Sequence, residues 1–234
     1  RSVAMTWRLD KQHCGSRCIK LRGFALPTLL VMLAMASIAT LLALRNLWVN
    51  DQLLNAETDQ LRTQHKAEAA LPVALADILG DMASTSSNGT PNLRHTAGNA
   101  TQSHGFFPVS APEYNLLRQR LNTGTCVAGI CAPSSLDPSA TKASFWKART
   151  NEAFAISASD TPYGDNTAWY WVEVLPQHPG NSVNAPSFAP FIYRITTLAN
   201  GVMPGSTTVL QAIWVRNTPT SSTGQWRSWH VLHD

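Results

Sequence analysis

Between Gly23 and Leu44 the sequence has no Asp, Glu, Lys, Arg or His, a run of 22 residues. At 1.5 Å per residue such a helix is about 33 Å long, enough to cross a bilayer core of about 30 Å. The run also exceeds the about 7–15 apolar residues of a secretory signal, and no small-x-small cleavage site follows it. A retained membrane helix is the reading. Other absences narrow the function. None of His13, His65, His95, His104, His178, His230 and His233 lies in an H-E-x-x-H pair. There is no G-x-S-x-G and no phosphate-cradling glycine loop, so an enzyme is not expected and no cofactor or metal is implied. Glu57, Asp59 and Glu68 read as exposed carboxylates on a solvated helix face.

The pI near 9.0 invites a nucleic-acid reading, but the charge is local. Residues 1–22 hold Arg1, Arg8, Lys11, Arg17, Lys20 and Arg22 against Asp10, net +5 in a chain of net +4. Residues 23–234 therefore sum to −1. A basic tail before an apolar span predicts a cytoplasmic N-terminus. It gives no electrostatic footprint for nucleic acid. Met5 is a candidate start.

Only four cysteines occur, as Cys14/Cys18 and Cys126/Cys131. The membrane span between the pairs argues against one four-Cys zinc site. Cys14 and Cys18 would be reduced in the cytoplasm. Cys126 and Cys131 would face an oxidising compartment and close a small disulfide ring, with two free thiols as the alternative. So short a loop contributes about 2 kcal/mol in the chain-entropy model.

After the span, Leu47, Leu54, Leu61, Leu75 and Met82 keep a seven-residue spacing, with Glu68 as the one polar interruption. That is an amphipathic helix with one apolar seam, bent at Pro72, whose outer half requires a partner surface. Residues 83–112 are polar and small, a connecting loop. "APEYNLLRQRLN" reads as a short helix with Pro112 near its first turn. "SFWKARTNEAFAI" is ambiguous and reads as helical. "TAWYWVEVL", "APFIYRITTLA" and "STTVLQAIWVRN" read as strands, and "QWRSWHVL" as a final one. The expected fold is α+β: a long N-terminal helix packed through its seam on a C-terminal antiparallel sheet. The segments are 1–23, 24–44, 45–82, 83–112 and 113–234. Of eight Trp, six (Trp146, Trp169, Trp171, Trp214, Trp226, Trp229) lie in the soluble part. Burial between sheet and helix is their expected role, with an exposed sugar- or protein-binding platform as the alternative. Asn88 and Asn99 match the glycosylation acceptor pattern.

A basic leader ending in Gly, then Phe, then an uncharged helix running into an amphipathic one, resembles a type IV prepilin. "RGFALPTLLVMLAMASIATLLA", "AEAALPVALADI", the Cys126/Cys131 ring and "YWVEVLP…FIYRITTLANGVMPGSTTVLQAIW" resemble the PilX family of minor pilins. The resemblance implies peptidase cleavage between Gly23 and Phe24 and methylation of Phe24. It implies a single-pass inner-membrane protein with a periplasmic domain that enters the pilus, with adhesion and twitching motility as associated processes. Its implied partners are the prepilin peptidase, other major and minor pilins, and a large tip adhesin. Pro27 fits that cleavage: in the precursor it clashes with the Gly23 carbonyl, whereas in the mature helix it lies in the first turn. The fifth mature residue is Thr28, where major pilins carry a Glu able to pair with a neighbour's N-terminal ammonium. That departure points to a rare subunit at or near the tip. The runners-up are a minor pseudopilin of type II secretion, which shares the loss, and a membrane-tethered binding module outside any filament.

Overall fold

A computed structural model describes residues 25–80, 93–95, 104–121, 125–131, 138–157, 167–177, 191–218 and 221–234. It divides into two units, 1–52 and 53–234. Helix α1 (Ala25–Leu79) begins in the first and continues into the second. Its apolar stretch is long enough to cross a membrane. Side chains from Leu26 to Gln52 are exposed throughout. The helix continues through Pro72, which lies on its exposed side, and stops at Gly80. There φ of +82° gives the left-handed turn that ends many helices.

In the second unit the expected helix at 111–122 is α2 (Ala111–Arg120), with proline in its first turn. Its Glu113 carboxylate accepts the Val109 N–H at 2.7 Å. The segment read as helical is composite. It contains α3 (Ala143–Lys147), a 3-10 turn (Thr150–Glu152) and a short strand. The strands are β1 (Cys126–Val127), β2 (Ile130–Cys131), β3 (Phe154–Ala155), β4 (Ala168–Pro176), β5 (Phe191–Asn200), β6 (Thr207–Arg216) and β7 (Gly224–Leu232). They form one sheet in the order β1-β2-β4-β5-β6-β7, with β3 beside β2 on the same edge of β4.

The arrangement is α+β, and β4 to β7 form the expected antiparallel meander. The sheet as a whole is mixed, because β2 runs parallel to β4. Parallel pairing needs a long connection, and residues 132–167 supply one, carrying α3 and β3.

Alternation along the strands divides the core. One sheet face presents Tyr170, Val172, Tyr193, Ile195 and Trp214, packed with Ala67, Ala70, Ala74 and Ile78 of α1 and with Leu117 of α2. The other presents Trp171, Leu198 and Val209, packed with Trp146, Leu232 and the two half-cystines. Burial is thus the role of Trp146, Trp171 and Trp214, although only Trp214 belongs to the cluster shared with α1. Trp169 is partly buried, while Trp226 and Trp229 are exposed.

Candidate assembly surface

The side of α1 that meets the sheet is not the leucine seam. Leu47, Leu54 and Leu61 are 64, 62 and 58% exposed, and only Leu75 packs against the core. The sheet instead receives alanines, which let a helix approach a floor of Tyr and Trp closely. Polar side chains take part as well: Asp59, Thr63, Lys66 and Asp77 are all buried. The expectation that the sheet covers the seam is therefore corrected. The inner stripe is small and polar, and the apolar stripe faces out.

The polar groups fasten α1 to the sheet at both ends of the contact. At one end, Asp59 accepts the Val202 and Met203 N–H groups at 2.9 and 3.0 Å. Thr63 Oγ1 lies 3.2 Å from Ser206 Oγ. These contacts close the β5–β6 turn onto the helix. They leave Val202 83% exposed and bound a cavity of about 350 Å³ lined by Ala56, Asp59, Gln60, Met203, Pro204 and Gly205, among others. The Asp59 carboxyl is held below the ordinary carboxylate range, chiefly by those two N–H donors. Asp59 is thus a buried acceptor and not the solvated carboxylate expected from its neighbours. Farther along, Lys66 Nζ donates to Thr167 Oγ1 at 3.2 Å, and Thr197 Oγ1 donates to the Ala67 carbonyl at 2.9 Å.

At the other end Asp77 is 2% exposed and accepts Arg94 Nη2 at 2.6 Å and Tyr170 Oη at 2.7 Å. Burial first, and then the Asp77 charge, push the Tyr170 phenol well above its ordinary range, so it stays a donor. Removing one partner of so buried a pair strands a charge, a loss of about 3–5 kcal/mol in comparable cases. Arg94 also reaches the Ala128 carbonyl at 2.7 Å, in the β1–β2 turn. Arg216 Nη2 donates to the Ile78 carbonyl at 3.1 Å, satisfying one acceptor at the helix end.

Cys126 and Cys131 are joined by a disulfide and are register partners across the β1–β2 hairpin. The hairpin docks on β4 through the Gly129 carbonyl, which accepts the Val172 N–H at 2.6 Å. Gly129 has φ of +79°, and a Cβ there would lie 2.8 Å from the Tyr170 carbonyl oxygen, so only glycine fits.

Gly23, Phe24, Met82, Asn88, Asn99 and the pair Cys14/Cys18 lie outside the described residues. Thr28 lies within α1. Sequence reasoning missed Asp59, Lys66, Asp77 and Arg94. The available signal was the recurrence of polar or small residues at 59, 63, 66, 70, 74 and 77, a helix stripe opposite the leucines.

No curated protein and no solved structure matches the chain. Residues 127–216 match the family model for the C-terminal part of type IV pilus assembly protein PilX. From Val127 in β1 to Arg216 at the end of β6, the chain is PilX-like.

Proposed function

We propose that this chain is a minor pilin that primes or supports type IV pilus assembly, present in few copies at or near the filament tip. The region similar to type IV pilus assembly protein PilX supports a part in pilus assembly. The observation that carries the mechanism is the outward leucine stripe. Leu47, Leu54 and Leu61 are exposed on a helix whose other side is already fastened to the sheet. Burying each such side chain against neighbouring pilin helices contributes about 1.5–3 kcal/mol. The leader holds the precursor in the inner membrane. Cleavage between Gly23 and Phe24 by the prepilin peptidase removes the leader's six basic residues and frees the helix to pack laterally with major and minor pilins. Thr28 lacks a charge to pair with a neighbour's N-terminus, which favours a rare subunit over a bulk one.

In a strain carrying Leu54→Glu or Leu61→Glu, surface pili are expected to disappear while the protein accumulates normally in the membrane. Normal piliation in both variants would overturn the proposal.

A further inference from the structure

The tryptophans at 226 and 229 have no place in the packing or in the proposed assembly helix. They are 43 and 54% exposed on β7, the terminal strand of the sheet. Residues three apart on a regular strand point to opposite faces. Here Ser228 stands opposite Ile213 and Trp226 opposite Trp214, so Arg227 is an extra residue on β7. A bulge of this kind resets the alternation and re-aims side chains. Trp229 faces Ala212 and Trp226 faces Trp214, both in the cluster shared with α1, so the two indoles share that side. Gly224 assists: a Cβ there would run into the Trp214 ring, so glycine lets β7 turn in beside it. Every side chain from Gln225 to His230 is exposed.

We propose that β7 receives an extended segment of a partner protein as an added strand. The segment lies along Ser228–Leu232, sets apolar side chains against Trp229 and Trp226, and carries an acidic residue toward Arg227. Among the described residues β7 has no second neighbour, so its outer backbone N–H and C=O groups face away from the sheet. An extended chain satisfies those groups in series, whereas a sugar or a helix leaves them to water. Trp and Arg are the residue types most enriched among interface residues that dominate binding energy. Arg227 is the formally charged side chain of β7, which contains no Asp or Glu. A second copy of β7 therefore offers Arg227 no carboxylate. The bulge and Arg227 also end regular pairing after a few residues, as edges protected from indiscriminate association do. This inference depends on β7 alone and stands or falls apart from the pilus reading.

Hydrogen exchange of the full chain tests it in three states: purified in detergent, in native membranes of the producing cell, and in sheared surface filaments. Added-strand pairing slows exchange over 228–232 by about tenfold or more in a partner-containing fraction relative to detergent. Trp226→Ala/Trp229→Ala, a change of exposed residues only, abolishes the slowing. Equal rates in all three states overturn the proposal. So does protection of the tryptophans from acrylamide quenching without slowed amides, which would mark a platform for a sugar or a helix. Slowing in membranes alone upholds the added strand and counts against the pilus reading.

Discussion

Asp59 takes the Val202 and Met203 N–H groups, and those bonds hold its carboxyl below its ordinary value of 3.8. The unfolded chain therefore takes up this proton at higher pH than the folded one. The stability Asp59 supplies is complete above about 4 and is lost as pH falls through the lower folded value. In detergent, the thermal midpoint of the full chain should fall with pH in that acid window, and Asp59→Asn should flatten the fall. Identical slopes in both would mean that the carboxylate does not hold the turn. The small and polar stripe of α1 marks the side on which Asp59 lies, but nothing local identifies its donors, which lie 143 and 144 residues away. Cys126 and Cys131 were legible for the opposite reason. Only four residues, which form one turn, lie between them, so their proximity could be read directly.

At the scale of elements, the long strands could be read because β-branched and aromatic residues recur between Gly, Pro and Asn breaks. α1 could be read from its apolar run, and α2 from Pro112. The rotation of α1 about its own axis could not. A period of leucines shows that a helix has an apolar side, but not whether that side meets its own domain or another molecule. Alanine decides the matter here, since a small side chain gives close approach to Tyr170, Tyr193 and Trp214. Ala70→Leu, at a position with no exposure, should destabilise the full chain by about 1–3 kcal/mol through overpacking. Leu54→Ala, on the outer side, should change stability by less than about 0.5 kcal/mol. Denaturant midpoints measured on the two variants check this, and the reverse order would restore the leucines as the sheet-facing stripe. The parallel β2–β4 pairing was not legible either, because two-residue strands carry almost no alternation to read.

For the whole molecule, the sequence joins a basic tail, an uncharged span and a helix that continues into a domain with a mixed sheet. Each part alone has other uses: a charged tail orients any membrane protein, and an α+β domain serves many functions. Together with the PilX-like region they support the proposed account, in which the subunit is held in a membrane until its leader is cut and is then carried into a filament by the outward leucine stripe. The most direct measurement is mass spectrometry of this protein's N-terminus in sheared filaments. A peptide beginning with methylated Phe24, at low abundance in the filament fraction, is the predicted result. An uncut chain that begins at Met5 and is confined to membranes would contradict the account.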